Sequence, residues 1–324
     1  MNTDHTPVMA TRLNSFALGQ GVAHPKERTA TTELIARAGK TAGLDALELN
    51  YPEHFVDESV EDIRAATVSA GLDVTGIQLR WPSSFARGAF TSDDPAQRAA
   101  AVQLAKEGVD TCRAFGADHV VLWPAHDGYE YPFQLDYPRA WHAAVECYGD
   151  VARYAGDIDV SIEYKPAEPR SRTLLSTTGS VLALIAEVGE PNLHATLDFA
   201  HMLMAGENAA QSIAVTLGKG HLRGLQLNDG YAKADDGLMV GAVHLVETLE
   251  AFFYLVRDDY QGTYYFDTDP IREDPQSECE ENIVRTQQLL ALARQMVASG
   301  EVPNSDAVAA GRSWWKTLVT DHAR

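Results

Sequence analysis

Residues 160–201 read VSIEYKPAEPRSRTLLSTTGSVLALIAEVGEPNLHATLDFAH, and this stretch carries the pattern that decides the fold. Two short runs of apolar and β-branched residues, 160–163 and 194–198, flank a helical pattern at 181–188 that ends at Gly189. Glycine is common just after a helix because it adopts the left-handed conformation without strain. A helix between two strands is typical of parallel pairing, so the stretch predicts a β–α–β unit.

The same alternation of strand and helix extends over most of the chain. We predict eight strands, at residues 15–19, 46–49, 74–79, 119–123, 160–163, 194–198, 222–227 and 263–267. Amphipathic helical patterns lie between them, the clearest at residues 94–115, 137–154, 181–188 and 243–256. Eight strand–helix pairs are what a closed (β/α)8 TIM barrel requires, and this is the predicted fold.

The rival α/β architecture is an open, doubly wound sheet that binds a nucleotide. Such a sheet usually carries a glycine-rich phosphate-binding turn after its first strand. This chain has only Gly19-Gln20-Gly21 at that point, which we interpret as a loop. The missing turn favours the barrel.

The C-terminal region is predicted to extend beyond the barrel. We divide the chain into a barrel at residues 1–275 and a C-terminal helix and tail at 276–324, with a helical pattern at 278–297. The tail contains Trp314 and Trp315, and adjacent tryptophans suit packing on the barrel or contact with a neighbouring subunit. We favour the subunit contact and therefore expect a homo-oligomer, a dimer or a tetramer.

The composition excludes several classes of protein. Of 324 residues, 45% are hydrophobic and 22% are charged, which is typical of a globular protein. The excess of 46 Asp and Glu over 26 Lys and Arg gives a net charge of −20, which repels nucleic acid and anionic lipid. No apolar run approaches the ~20 residues of a membrane span, and the N-terminus lacks signal-peptide features. Three widely spaced cysteines fit a reducing compartment, so we expect a cytoplasmic protein.

Polar residues concentrate at the ends of the predicted strands, where a TIM barrel places its catalytic groups. Glu163 and Lys165 are two residues apart and therefore point to the same side of the fifth strand. Asp198 and His201 follow the sixth strand at a spacing that lets both reach one ion or two adjacent ions. Further polar or aromatic side chains follow the fourth, seventh and eighth strands: Trp123, His126, Asp127, Gln226, Asn228, Asp229, Asp235, Asp236, Asp267 and Asp269.

These residues together favour a cation site. One acid after a strand is usually a helix cap, and His201 alone would be an ordinary hydrogen-bonded residue of a first helical turn. Four consecutive strands ending in acids or amides are harder to explain in this way, because convergent buried carboxylates repel one another unless a cation offsets them. Oxygen ligands with one or two nitrogens suit Mn²⁺, Mg²⁺ or Co²⁺, and we predict Mn²⁺ as the cofactor.

Several segments resemble the L-rhamnose isomerase and xylose isomerase family of TIM barrels. They are FARGAFTSDDPAQRAAAV (85–102), ADHVVLWPAHDGYEY (117–131), IEYKPAEPR (162–170), LDFAHML (197–203) and GLQLNDGYAKADDGLMVGAV (224–243). The resemblance covers residues 77–275 and keeps the order and spacing of these motifs. In this family, two divalent ions hold the open-chain sugar.

The resemblance implies a ligand set for each ion. It assigns to the first, substrate-holding ion the ligands Glu163, Asp198, Gln226 and Asp267. It assigns to the second, catalytic ion the ligands Asp198, as a bridge, His201 and Asp235. It also implies that Lys165 polarises the sugar carbonyl and that Trp123 and Phe90 form aromatic walls. We expect His126 and Asn228 to contact the substrate as well.

Two departures from the family pattern reduce the negative charge around the ions. Gln226 stands where the family usually has aspartate or histidine. The loop reads Asp235-Asp236-Gly237 where the family usually has three acids, so one well-occupied ion is an alternative to two. The ring-opening histidine of xylose isomerases has no clear counterpart, since His54 near the second strand has a different setting.

The leading functional hypothesis is an aldose–ketose isomerase that acts by a metal-assisted hydride shift. Its catalytic residues are expected to be Glu163, Lys165, His201 and Asp267. One alternative is a keto-sugar epimerase that uses two carboxylates as acid and base, and another is the metal subunit of a C-glycoside-cleaving enzyme. A third is a non-catalytic sugar- or metal-binding subunit.

Overall fold

Eight parallel strands close into a barrel in the computed structural model, which describes residues 6–17, 28–124 and 126–320. The barrel strands are β1 (Met9–Arg12), β2 (Ala46–Tyr51), β3 (Asp73–Leu79), β4 (His119–Leu122), β6 (Asp159–Glu163), β8 (Leu193–Asp198), β9 (Leu222–Leu227) and β10 (Tyr264–Phe266). Each strand pairs with its neighbour along the chain, and β10 pairs with β1 to close the barrel. The predicted TIM barrel is confirmed. The short strands β5 (Gly128–Tyr129) and β7 (Arg172–Thr173) form an antiparallel pair in the loops after β4 and β6.

Helices surround the barrel in the described residues. They are α1 (Thr31–Ala38), α2 (Val60–Ala70), α3 (Pro95–Phe115), α4 (Tyr137–Ala155), α5 (Thr178–Val188), α6 (Phe199–Met204), α7 (Ala209–Gly218), α8 (Leu245–Arg257), α9 (Pro275–Ser299) and α10 (Ala307–Thr320). Asp94 caps α3, as its sequence predicts, and α5 ends at Gly189 in the left-handed conformation. No helix in the described ranges is both long and apolar enough to cross a membrane.

The first strand lies earlier than predicted. Residues 15–19 were expected to form it, but β1 is Met9–Arg12, and residues 13–17 form a short 3-10 helix. Residues 9–11 pair with β10 and residues 10–12 pair with β2, and this pairing outweighs the local apolar pattern of the later segment. Gly19 and Gly21 lie outside the described residues.

The C-terminal region contains two helices. The predicted helical pattern at 278–297 lies within α9, which follows the eighth strand and packs against α8. This helix therefore occupies the place of the eighth barrel helix. Part of the polar tail forms α10, which packs on α9. The division of the chain after residue 275 stays a prediction.

The barrel interior is polar, whereas the main hydrophobic core lies between the strands and the helices. Gly76 of β3 makes room for the buried His119 ring, because a Cβ at position 76 would lie 2.6 Å from that ring. Nε2 of His119 lies 3.2 Å from a carboxylate oxygen of Glu48 inside the barrel. Inward-facing positions further along the strands carry the polar groups of the candidate site.

Candidate active site

The carboxyl end of the barrel, here called the mouth, carries two successive levels of inward-facing side chains, because residues two apart on a strand share a face. One level lies deeper and belongs to strands β6, β8 and β9 and the residue after β10: Glu163, Asp198, Gln226 and Asp267. With His201 and Asp235 we call these residues the acidic cluster. The outer level, called the mouth layer, consists of Arg12, Asn50, Arg80, Trp123 and Lys165.

Asp198 and His201 are placed by the start of a helix. Asp198 ends β8 and caps α6, and its Oδ1 accepts a hydrogen bond of 2.8 Å from the backbone N–H of His201. The amide of Asn228 donates to Oδ2 of Asp198 over 2.9 Å, and its carbonyl accepts from the backbone N–H of Ala200. The D-x-x-H spacing thus places the histidine ring beside the carboxylates.

The His201 ring lies among three acids. Its Nδ1 is 3.6 Å from Glu163 and 3.8 Å from Asp198, and its Nε2 is 3.2 Å from Asp235. His201, Glu163 and Asp198 are buried. The structure therefore brings together four of the predicted metal ligands.

Burial and charge shift the acid–base equilibria of the cluster. Burial raises the pKa of Asp198 to about 8 and that of Glu163 to about 7, and nearby acids add to both effects. Burial alone would lower the pKa of His201, but the surrounding carboxylates outweigh it and raise the pKa to about 9. Burial alone would raise the pKa of Asp235, but the hydrogen bonds and charges of His201 and Lys165 hold that pKa well below its usual range. A proton on His201 thus supplies positive charge that a bound cation would supply instead.

The donor atoms present fit a divalent cation. Asp198, His201 and Asp235 each offer a ligand atom, and these atoms lie within 4.8 Å of one another. Two further polar atoms of the cluster are buried without a hydrogen-bond partner among the described residues: Nδ1 of His201 and Oε1 of Gln226. Buried polar atoms are almost always satisfied, so these atoms indicate a missing partner. Carboxylate, amide and imidazole donors suit Mn²⁺, Mg²⁺ or Co²⁺.

Lys165 lies at the edge of the acidic cluster. Its Nζ is 2.8 Å from Glu168, 3.2 Å from Asp235 and 5.5 Å from the ring centre of Trp123. Burial lowers the pKa of Lys165, but the two carboxylates outweigh this effect and raise the pKa. Lys165 is therefore a fixed positive charge beside the cluster and against an aromatic face.

The structure places Phe90 in the core. Its side chain is fully buried, and its ring centre lies 4.9 Å from that of Tyr148 and 5.3 Å from that of Trp81. Buried Asp127 fixes the loop by accepting hydrogen bonds from three consecutive backbone N–H groups at residues 89–91. Phe90 therefore presents no surface to a substrate in this arrangement, and its assignment as an aromatic wall stays a prediction.

Two other residues expected to contact substrate occupy different environments. Asn228 is 1% exposed, and its amide donates to Asp198 and to the backbone carbonyl of Asp267. These contacts position Asp198 and the start of α6, and a contact of Asn228 with the substrate stays a prediction. His126 is half-buried in the loop after β4 and forms no hydrogen bond or ion pair with the acidic cluster in the described part of the chain.

The loop after β9 contributes one acid to the cluster. Asp235 reaches His201, whereas Asp236 accepts a hydrogen bond of 2.7 Å from the backbone N–H of Tyr231. Gly237 has φ +58°, and a Cβ there would lie 2.9 Å from the Cβ of Asp269. A side chain at position 237 is therefore excluded, so the loop offers no further ligand there.

The sequence interpretation missed two arginines of the mouth layer. Arg12 lies 3.4 Å from Asp267 and 2.5 Å from Asp269, and its absence from the prediction follows from the misplaced first strand. Arg80 follows Gln78 by two residues at the end of the third strand, and strand alternation could have identified it.

His54 follows the second strand and supports its carboxyl end. Its buried ring accepts a hydrogen bond from the backbone N–H of Asn50, and its Nε2 is 2.7 Å from Asn14. Burial lowers the pKa of His54 to about 4. It holds Asn50 in place and does not join the acidic cluster.

The eight-stranded barrel brings convergent acids, an amide and a histidine together at its mouth, where a TIM barrel places its functional residues, and these side chains form a possible metal site. The chain belongs to the xylose isomerase-like TIM barrel family, whose sequence model matches residues 36–287. The predicted resemblance is confirmed.

Curated relatives include xylose isomerases. The chain is 32% identical over 240 residues to xylose isomerase of Thermus thermophilus, covering 70% of this chain and 61% of that protein. It is 33% identical over 241 residues to xylose isomerase of Thermus caldophilus, with the same coverage. The chain thus spans about three fifths of the length of these relatives.

Solved structures with the same fold include sugar epimerases. An L-ribulose 3-epimerase superposes with a TM-score of 0.72 at 17% identity, over 93% of this chain and 99% of that one. A D-allulose 3-epimerase from Methylomonas sp. gives 0.69 at 20% identity, over 87% of this chain and 97% of that one. These similarities show the shared fold.

Proposed function

We propose that the protein is a divalent-metal-dependent aldose–ketose isomerase that transfers hydride between C1 and C2 of an open-chain sugar. The observation that carries the proposal is the position of Lys165, a protonated amine beside the acidic cluster and against Trp123. The family to which the chain belongs, with xylose isomerases among its relatives, supports this assignment. This chain spans about three fifths of the length of those relatives, so the isomerase activity is proposed for it.

The proposed ligands follow the two-ion arrangement. The substrate-binding ion is held by Glu163, Asp198, Gln226 and Asp267. Asp198, His201 and Asp235 hold the second ion, and Mn²⁺ is the preferred metal. The bound metal supplies Lewis acidity that polarises the sugar carbonyl and stabilises the developing alkoxide.

The remaining chemistry belongs to side chains of the chain. In the shift, the C2–H bond breaks, its electron pair moves with the hydrogen to C1, and the O2 proton is transferred to O1. Lys165 places positive charge where the carbonyl oxygen gains negative charge. The Trp123 ring excludes water from one side of the sugar, which protects the hydride from competing proton exchange.

The second candidate is a ketose epimerase. The solved structures of this fold described above are sugar 3-epimerases. In this chain, Glu163 ends β6 and Asp267 directly follows β10. Two carboxylates on different sides of a keto-sugar could remove and return a proton at one carbon. This mechanism needs no lysine beside the carbonyl, and Lys165 therefore favours the isomerase.

Turnover in D₂O separates these functions. The Mn²⁺-loaded protein is incubated with pentoses, hexoses and deoxyhexoses, and the products are analysed by NMR. A hydride shift gives aldose–ketose conversion without deuterium at the migrating carbon. Epimerisation through a proton transfer incorporates deuterium at the inverted carbon and contradicts the isomerase. Sugar binding without any conversion contradicts both enzymes and supports a binding subunit.

We further propose that the chain acts in the cytoplasm as a homo-oligomer. The three cysteines are free and buried, which suits a reducing compartment. Trp315 on α10 is 60% exposed, and a large exposed aromatic side chain is typical of subunit contacts.

A further inference from the structure

Arg80 follows a strand that lies across the ring of barrel strands from the middle of the acidic cluster. The acids of the deeper level come from strands β6 and β8 and from the end of β10, with Gln226 from β9 between them. Arg80 comes from the end of β3, which lies four strands from β9 in the ring of eight and hence opposite it. A sugar that binds in the acidic cluster and extends across the mouth therefore approaches the end of β3, which Arg80 follows.

Contacts with neighbouring strands hold Arg80 in the mouth layer. Its backbone N–H donates to the carbonyl of Tyr51, and its Nε donates to Oδ1 of Asn50 over 3.4 Å. Its guanidinium carbon lies 5.2 Å from the centre of the Trp123 ring. The same ring also contacts the ammonium group of Lys165, so one indole supports two cations.

The carbonyl of Asn50 is oriented by its own hydrogen bonds. Its amide donates to Asn14 and to Glu53, each over 3.0 Å. The buried His54 ring accepts from the Asn50 backbone. This network fixes the acceptor that receives Nε of Arg80 and thereby limits the motion of the guanidinium.

Arg80 differs from the other two cations of the mouth layer in having no carboxylate within ion-pair distance in the part of the chain that the structure describes, although its charge acts on Glu53 and Glu163. Arg12 forms ion pairs with Asp267 and Asp269, and Lys165 forms them with Glu168 and Asp235. Within the described ranges, Arg80 forms no ion pair, and its two terminal nitrogens donate no hydrogen bond. The side chain is half-buried, so part of it is accessible to a ligand.

We propose that Arg80 binds an anionic group, a carboxylate or a phosphate, at the end of the sugar that lies away from the acidic cluster. A guanidinium presents paired N–H donors in a planar arrangement that matches two oxygens of such a group. The substrate class is therefore an acidic sugar, either a sugar acid or a sugar phosphate. This inference rests on the proposed function, because it assumes that a sugar binds at the mouth.

A different role for Arg80 is to balance the negative charge of the acidic cluster, since its charge reaches Glu163. That role gives no preference for acidic over neutral sugars. Selectivity is therefore the quantity to measure, and sugars that differ at one carbon provide it.

The experiment is calorimetric titration of the Mn²⁺-loaded, full-length protein. The sugars are D-glucuronate against D-glucose, D-galacturonate against D-galactose, and D-glucose 6-phosphate against D-glucose. We expect at least one acidic sugar to bind about tenfold or more tightly than its neutral counterpart, as a charge-assisted hydrogen-bond pair allows. The two uronates and the sugar phosphate are compared to identify whether the site binds a carboxylate or a phosphate.

The variants test the assignment to Arg80. Arg80→Gln is expected to reduce the acidic-to-neutral selectivity to about one, and Arg80→Lys to retain part of it. Arg87→Gln, which removes an exposed arginine from the loop after β3, is expected to retain the full selectivity. Circular dichroism verifies that each variant is folded. Equal binding of acidic and neutral sugars by the wild-type protein, or unchanged selectivity in Arg80→Gln, overturns the proposal.

Failure of the anion site at Arg80 can be distinguished from failure of the proposed isomerase function. Arg80-dependent binding of an acidic sugar without turnover contradicts the isomerase and leaves the anion site standing. Turnover of neutral sugars with no acidic selectivity leaves the isomerase standing and contradicts the anion site.

Discussion

The side-chain amide of Gln226 donates a hydrogen bond to Oε2 of Glu163 over 3.1 Å, while its carbonyl oxygen is buried without a partner. The donor faces a carboxylate, and the free acceptor remains available to a cation. Gln226 is neutral, whereas the family usually has an acid or a histidine at this position. It is thus placed to ligate a cation through its carbonyl oxygen and to reduce charge repulsion beside Glu163.

Gln226→Glu tests this arrangement at constant side-chain length. The new carboxylate faces Glu163, so the metal-free variant should unfold at lower temperature than the wild-type protein. Added Mn²⁺ should bind more tightly and raise the unfolding temperature more than in the wild-type protein, because ligand charge increases. Titration calorimetry and thermal unfolding with and without Mn²⁺ measure both effects. Gln226→Leu is the control, and equal Mn²⁺ affinity in all three proteins would contradict ligation by Gln226.

Asp235→Asn and Asp236→Asn form a matched pair of neighbouring substitutions. Of these two acids, only Asp235 contacts His201. Its replacement removes a charged ligand and should therefore weaken Mn²⁺ binding by about tenfold or more. Asp236 accepts from the loop backbone, and its replacement should leave the metal affinity close to that of the wild-type protein. Equilibrium dialysis with elemental analysis measures both affinities. Equal metal binding by the two variants would remove Asp235 from the ligand set.

Lys165→Met should retain bound Mn²⁺ and lose turnover. The ammonium group lies beside the cluster but cannot ligate a metal while protonated, so its charge matters where the sugar oxygen becomes negative. We expect kcat to fall by about 10²- to 10³-fold, as for loss of one oxyanion-stabilising donor. Lys233→Met, an exposed change in the loop after β9, is the control. An unchanged kcat at saturating sugar would limit Lys165 to balancing the charge of the acids.

Glu278→Gln should stabilise the protein at alkaline pH. Glu278 is buried near the start of α9, and its oxygens accept from Asn282 and Thr268. Burial raises its pKa from 4.5 to about 7, so the folded state binds the proton more tightly than the unfolded state. Folding stability is therefore lost as the pH rises through this interval, and the loss is complete above about 7.

Glutamine removes the charge that causes this loss. The free energy of unfolding should rise by about 2 to 3 kcal/mol at about pH 8 and change little at about pH 4. Denaturant unfolding at the two pH values measures the difference. The exposed Glu247→Gln on α8 is the control. Equal effects at both pH values would show that Glu278 does not lose its proton in this interval.

Removal of the tail tests the proposed subunit contact. A chain that ends at Ser299 lacks α10 and with it the half-buried Trp314 and the exposed Trp315. We expect the truncated chain to form a smaller assembly, which light scattering measures. Trp315→Ser removes only the exposed ring and should weaken the assembly without disturbing the packing of α10. An unchanged oligomeric state in both proteins would contradict the contact.

Much of the barrel could be predicted from local pattern. The run at 222–227 has the predicted bounds of β9, because its leucines recur at positions 225 and 227, where the strand is buried. Asp94 and Gly189 marked helix ends because capping depends on a few neighbouring backbone groups. The first strand was misplaced because β1 is short and is defined by pairing with β2 and β10, which local pattern does not contain.

The acidic cluster was predictable as a set of residues but not as an arrangement. Strand spacing placed Glu163, Lys165, Asp198 and His201 at one end of the barrel, because side-chain direction alternates along a strand. It could not show that Asn228 uses its amide on Asp198, since that contact joins residues 30 apart in sequence.

The sequence by itself determined the fold class and the chemistry of the residues at the strand ends, because both follow from periodicities of two and 3.6 residues. Only the tertiary structure decided where individual side chains point in the loops. It placed Phe90 in the core through the hydrogen bonds of its loop to Asp127. It placed Arg80 beside Trp123 with no ion pair among the described residues. Such outcomes depend on contacts between distant segments, and closure of the barrel is what brings those segments together.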